Sequence, residues 1–238
     1  MKAIILAAGR GSRMGAATDD RPKSLLELRG KTLLQGQIDS LSAAGVGEIS
    51  VVTGYKRELF DSYGLNTFHN ARWASSNMVS SLACADEMLR GGPCIISYSD
   101  IFYSEDAVRA LMDSPADIAI TYDPHWLKLW SKRFEDPLED AETFKLDTQG
   151  NLLEIGEVPL AVEDVQGQYM GLLRIAPRGW SEMQRIRATL GQNDRDSLHV
   201  TGLLQKVVDA GNINVTAIAY EGEWGEVDNV SDLEVYSS

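Results

Sequence analysis

The 238-residue chain is 44% hydrophobic and 24% charged, enough to bury one substantial core, and a single α/β domain with insertions is expected. Its formal charge of −13 argues against nucleic acid and anionic membrane surfaces as partners. No apolar run reaches the length of a membrane span or a secretory leader, so a soluble, cytoplasmic protein is expected.

Ala3 to Ala8 is a short apolar run of the kind that makes a buried parallel strand. It empties into a loop holding Gly9, Gly11 and Gly15 together with Arg10 and Arg13. Glycines let backbone N–H groups converge on an anion, and the arginines add charge and forked donors. Residues 1 to 31 carry seven basic side chains against three acidic ones, in a chain that is otherwise strongly acidic. Positive charge gathered at one glycine-rich loop suits a polyphosphate.

Two familiar phosphate loops do not fit. The glycines are spaced G-x-G-x-x-x-G, one residue too long for the dinucleotide fingerprint, and the next predicted strand ends in Thr53-Gly54 instead of an acidic ribose ligand. Lys23-Ser24 lies far beyond Gly15 and follows Pro22, so the P-loop pattern is absent as well.

Leu33, Leu34, Ile38 and Leu41 follow a helical period over Thr32 to Ala44, closed by Gly45 and Gly47, and Ile49 to Val52 forms the second strand. This βαβ unit places the loop at the carboxyl end of the sheet, where open α/β sheets bind ligands. A short helix over Lys56 to Tyr63, a strand over Asn66 to His69 and a helix within Asn70 to Leu89 follow. Pro93 to Ser97 is another buried strand, and Asp100 just past its end projects into the crevice. Cys84 and Cys94 are expected to be two buried thiols.

After a strand over Asp117 to Tyr122, the interval from Asp123 loses its period and mixes Trp126 and Trp130 with Lys128, Lys132 and Arg133. Residues 123–165 are expected to form an insertion or lid over the acceptor, containing a hairpin about Asp147 to Asn151. Aromatics beside charge could cage a cation or glue the insertion to the core. A strand over Gln166 to Ile175 has Gly171 at its centre, open to close approach by a ligand. Helices over Pro177 to Leu190 and Ser197 to Ala210, a strand over Ile213 to Ala219 and a terminal helix complete the chain, with Asp228 isolated before the last. His69, His125 and His199 show no ligand spacing.

The pair LAAGRGSRM and RPKSLLEL, joining Gly9, Gly11 and Arg13 to Pro22 and Lys23 at the start of the chain, resembles the nucleotidyltransferases that condense an NTP with a phosphorylated small molecule. The resemblance implies a doubly wound, mostly parallel Rossmann-like sheet (the nucleotidyltransferase, or GT-A-like, fold) with an acceptor-side insertion. It implies that Leu6, Ala8, Gly9, Gly11, Ser12 and Arg13 meet the nucleotide, and that Ser76, Asn77 and Ser81 lie near base or ribose. Asn77 could equally be a helix cap. By the same resemblance, Asp100 and Asp228 hold Mg²⁺, while Lys23 and Arg13 carry catalysis. Trp126, Arg133, Glu157, Gln168 and Tyr169 are weaker candidates for the acceptor side.

The implied reaction is attack of a phosphate or phosphonate oxygen on the α-phosphorus of an NTP with release of pyrophosphate. The acceptor is already an anion, so charge neutralisation and alignment are needed instead of a base. Compact length favours the small cytidylyltransferases, hence CTP and a small anionic phosphate or phosphonate. A uridylyl- or guanylyltransferase acting on a sugar 1-phosphate is the alternative. A nucleotide sensor would be expected to lose Lys23 or one aspartate, and a retaining glycosyltransferase would lack the paired N-terminal motifs.

Overall fold

The computed structural model describes residues 1–237. A seven-stranded sheet runs from one edge to the other as Val215–Ala219, Ile118–Asp123, Gln168–Ile175, Cys94–Tyr98, Lys2–Ala7, Glu48–Thr53 and Asn66–His69. Only Gln168–Ile175 runs antiparallel to its neighbours. The central strands are buried almost without interruption, as Ala3–Ala7 and Gln168–Ile175 show. Strands covered on both faces have no solvent side to alternate with. The helix Leu33–Ala43 packs on Glu105–Met112, and Pro177–Thr189 packs on Asp86–Gly91 and Val200–Ala210. The doubly wound, mostly parallel sheet expected from the sequence is thus the architecture observed.

Local chemistry sets the boundaries. Thr32 caps the first long helix by accepting the Gln35 N–H, and Pro177 opens the longest one at its first turn. Register brings the strand ends into line: Leu6 lies opposite both Val52 and Tyr98. The glycine-rich loop, the turn after Thr53 and the segment leading to Asp100 therefore leave the sheet together, at the carboxyl ends of its parallel strands.

Several elements differ from expectation. The Asn70 to Leu89 helix is two short ones, Met78–Ala83 and Asp86–Gly91, with Asn77 as the first cap. The 123–165 stretch divides. Trp126–Arg133 is a helix whose Trp126 (3% exposed) and Trp130 sit in the core, with Trp126 Nε1 donating to the Val165 carbonyl at 3.0 Å. Trp126 is accordingly core packing and no part of an acceptor cage, because a buried indole gains most when its N–H finds a backbone acceptor. The hairpin of Phe144–Leu146 and Leu152–Ile155 stands as expected. Cys94 is buried, whereas Cys84 is exposed; both are free thiols. No described helix is long and apolar enough to cross a membrane.

One pairing was invisible in the sequence. Ile101–Tyr103 and Trp224–Glu226 form a small antiparallel ladder, with Ile101 opposite Glu226, and Val227 N–H donates to the Asp100 carbonyl at 2.9 Å. It ties the middle of the chain to its end.

Candidate active site

That ladder brings Asp100 beside Glu226 and Asp228, whose carboxylate oxygens lie within 4.8 Å of one another. Lys23 meets them from the loop side. Its Nζ donates to Asp228 Oδ1 at 3.0 Å and lies 2.6 Å from Asp100 Oδ2. Burial alone would lower the lysine's pKa, but the Asp100 and Asp228 carboxylates outweigh it and raise it above the ordinary value. Arg13 Nη2 donates to the same Asp228 oxygen at 2.6 Å and keeps much of its side chain in solvent.

Gly11 is what lets Lys23 reach this place. Its φ of +78° is left-handed, and a Cβ there would stand 2.5 Å from the Lys23 Cβ. Lys23 N–H in turn donates to the Arg10 carbonyl at 3.3 Å. Loop and lysine are packed as one unit, and Arg10 is drawn aside by Asp19 and Tyr55.

Behind the carboxylates stands Arg133, whose side chain is wholly buried. Its Nε and Nη2 donate to the two oxygens of Asp232 at 3.1 and 3.2 Å, and Nη2 lies 3.6 Å from Asp228. Asp232 Oδ2 accepts the backbone N–H groups of Asp228 and Asn229 at 2.7 and 2.9 Å. Asp232, in the first turn of the terminal helix Val230–Ser237, thus holds the backbone just ahead of that helix, while the Asp228 carboxylate is engaged by Arg13 and Lys23. Arg133, expected on the acceptor side, is instead an internal brace, for a fully buried guanidinium must spend its donors on fixed carboxylates.

The three carboxylates suit a divalent cation. All donors are oxygens, as hard cations prefer, and Asp100 Oδ1 is buried without a hydrogen-bond partner. Glu226 is pushed well above the ordinary carboxyl range, first by burial and then by Asp228 and Asp100, against the opposing pull of Arg133 and Lys23. Asp228 is raised by burial, but Lys23 and Arg13 outweigh that and hold it low. Glu226 was not anticipated; its only signal was a place two residues from Asp228 in an extended segment.

Beside this cluster opens a cleft of about 270 Å³ whose lining includes Arg13, Asp100 and Asp228 together with Asp140, Glu142 and Gln168. Tyr169 lines it as well, edge-to-face with Tyr98 at 5.8 Å. Gln168 and Tyr169, two of the weaker acceptor-side candidates, both line this cleft. Glu157 does not: it is exposed, its backbone pairs with Thr143, and Glu142 takes the cleft position. At Gly171, where the strand bulges, the close neighbour is the Tyr98 ring instead of open space for a ligand, 2.8 Å from where a Cβ would be. His199, read as isolated, lines the cleft and contacts the Asn77 carboxamide.

Leu6 and Ala8 are buried at the strand end, and Gly9, Gly11 and Ser12 form the loop above it. Ser76, Asn77 and Ser81 are not brought to the carboxylates. Ser76 and Ser81 accept from Asn70 Nδ2, and Asn77 caps its helix through Met78 N–H while donating to the Ser197 carbonyl. Ser76 and Asn77 border a separate shallow depression against the Gln192–Ser197 helix. Short polar side chains at a helix start satisfy the local backbone first.

Residues 3–153 match the family described as the MobA-like NTP transferase domain. The chain belongs to that family. It is 38% identical over 252 aligned positions to the CTP:phosphoglutamine cytidylyltransferase of Campylobacter jejuni subsp. jejuni serotype O:2, covering 99% of this chain and 98% of that one. The choline-phosphate cytidylyltransferase of Streptococcus pneumoniae is 39% identical over 93 positions, 37% of this chain and 41% of its own. Among solved structures, the inositol-1-phosphate CTP transferase of T. maritima superposes with a TM-score of 0.79 at 18% identity, covering 99% of this chain and 93% of the other, a likeness of fold.

Proposed function

We propose that the protein transfers the cytidylyl group of CTP to a small phosphorylated or phosphonate acceptor, releasing pyrophosphate. The observation that carries this reading is the position of Lys23, packed against Gly11 of the glycine-rich loop and touching both Asp100 and Asp228. One cation there faces the loop that would receive the nucleotide and the carboxylates that border the acceptor cleft.

Arg13 and the loop amides bind the β- and γ-phosphates and stabilise the leaving pyrophosphate, as fixed donors do for developing charge. Lys23 draws the α-phosphate and the incoming oxygen together, lowering the repulsion between two anions. Asp100 and Asp228, with Glu226 beside them, would hold Mg²⁺, which supplies charge neutralisation across the reacting phosphates. No side chain need act as a base, since the attacking oxygen is ionised at neutral pH. CTP is favoured by the nucleotide named for the full-length relative.

The test is pyrophosphate release with Mg²⁺ across CTP, UTP, GTP and ATP, each crossed with phosphorylated amino acids, aminoalkyl phosphates and phosphonates, and hexose 1-phosphates. Acceptor-dependent release with CTP is expected. Release with UTP or GTP and a hexose 1-phosphate would replace this reading with the sugar one, and tight nucleotide binding without release would point to a sensor.

A further inference from the structure

Part of the cleft's lining has a chemistry of its own. Gln168 is 7% exposed, and its Oε1 is buried with no hydrogen-bond partner. A buried amide oxygen left unpaired costs on the order of 1 to 3 kcal/mol, so the site is built for a ligand that donates to it. Glu142 lines the same cleft, and among the described residues no Lys, Arg or His lies within ion-pair distance of it. Asp140 beside it has only Arg13 at 3.7 Å. A partly buried carboxylate with no cationic partner is costly unless a ligand supplies the cation.

Arg13 is the one Lys or Arg among the described residues lining the cleft, against Asp100, Asp140, Glu142, Glu226 and Asp228, so the cleft as a whole favours positive charge. An acceptor whose phosphate reacts beside Lys23 and Arg13 can supply that charge from its other end, as a zwitterion does. Two acceptors, the unpartnered Gln168 oxygen and the Glu142 carboxylate, which receives a hydrogen bond from Thr201 but no cation, ask for more than positive charge. A quaternary trimethylammonium has the charge but no N–H to give. It is usually held by aromatic faces; here Tyr98 and Tyr169 line the cleft but pack edge-to-face on each other, and a trimethylammonium would still leave the Gln168 oxygen without a donor.

We infer that the cleft selects an acceptor bearing a primary ammonium, with Glu142 and Gln168 Oε1 as the residues that read its N–H groups. This rests on the phosphate-acceptor reading above. It adds the identity of the distal group and two specificity-determining residues.

Phosphoethanolamine and phosphocholine, which differ only in three N-methyl groups, make the decisive pair, with ethyl phosphate as the probe lacking nitrogen. Each is titrated calorimetrically into the protein, with and without Mg·CTP. Phosphoethanolamine is expected to bind at least ~10-fold tighter than either of the others, since a site built to hydrogen-bond a group rejects analogues lacking it. Glu142→Gln and Gln168→Met should each reduce that preference to within ~3-fold. Equal or tighter binding of phosphocholine, phosphoethanolamine no tighter than ethyl phosphate, or a preference untouched in both variants would overturn the inference. Loss of the CTP reading would show separately, as no heat with Mg·CTP while the phosphoethanolamine preference persists without nucleotide.

Discussion

Arg133 and Asp232 form a two-point ion pair at 3.1 and 3.2 Å in which the carboxylate also accepts the Asp228 N–H at 2.7 Å. Through it the helix Trp126–Arg133 and the terminal helix Val230–Ser237 fix the backbone that carries Asp228. Trp130 and Phe134 flank the guanidinium at 4.9 Å each. Removing one partner of such a buried pair strands the other charge, at a cost of about 3 to 5 kcal/mol. Arg133→Gln should therefore lower unfolding free energy by roughly 3 kcal/mol and raise the Mg²⁺ concentration needed for half-maximal turnover. Asp232→Asn should be milder, because its amide oxygen can still cap Asp228 N–H. Urea melts read the first effect and Mg²⁺ titrations the second; an Arg133→Gln protein with the wild-type midpoint and Mg²⁺ requirement would deny the brace any role.

Lys23 is the side chain that links loop and carboxylates. Its pKa, raised by Asp100 and Asp228 against the opposing effect of burial, keeps it protonated throughout the neutral range, so activity between pH 6 and 9 should show no limb from this residue. Loss of a charged transition-state contact costs on the order of 3 to 4 kcal/mol, so Lys23→Ala should lower kcat at least ~100-fold. Near wild-type turnover in that variant would remove Lys23 from the mechanism.

Gly11 gives a test of how tightly that geometry is held. A methyl group at this position would meet the Lys23 Cβ at 2.5 Å, on a backbone with φ of +78°. Left-handed strain for a non-glycine residue is about 1 to 2 kcal/mol per residue, and the clash must also move the lysine stem. Gly11→Ala is expected to lower kcat more than it lowers the melting temperature, whereas Gly9→Ala, with nothing within 4 Å of its Cβ, should fold as the parent does. Equal turnover in the two variants would contradict the packing argument.

The sequence declared the sheet because its strands are apolar runs bounded by glycine and proline, and buried strands leave no other pattern. It also pointed to Asp100, since a carboxylate at the end of a buried strand has no packing role, whereas Asp228 stood out only as an isolated aspartate that the family resemblance singled out. Glu226 and the Arg133–Asp232 brace were hidden for a common reason, long sequence separation: Glu226 reaches Asp100 through the pairing of Ile101–Tyr103 with Trp224–Glu226, whose partners are more than a hundred residues apart, and the brace joins the helices Trp126–Arg133 and Val230–Ser237. Three-residue strands carry too little periodicity to announce themselves. Trp126 and Arg133 misled because charge beside aromatics reads alike whether it faces solvent or is sandwiched inside. Ser76 and Asn77 misled because a helix cap and a ligand contact use the same residue types.

Glu142 joins stability to specificity. Burial and the neighbouring Asp140 and Glu157 raise its carboxyl pKa above the ordinary 4.5, against a smaller opposing hydrogen bond from Thr201. The folded protein therefore binds this proton more tightly than the unfolded chain does. Stability is unpenalised while the carboxyl is protonated in both states and falls as pH rises from the unfolded value through the folded one. Glu142→Gln has no charge to bury. Its melting temperature should match the wild type near pH 4 and exceed it at pH 7.5, the gain appearing as the wild-type carboxyl ionises. The same variant should lose its preference for a primary ammonium, the pattern of a functional group kept at a cost to the fold. Differential scanning fluorimetry across pH, run with and without phosphoethanolamine, separates the two effects: ligand should raise the wild-type midpoint at pH 7.5 and leave the variant nearly unmoved. A variant less stable than wild type at pH 7.5, or one equally protected by the ligand, would show that Glu142 is an ordinary structural carboxylate.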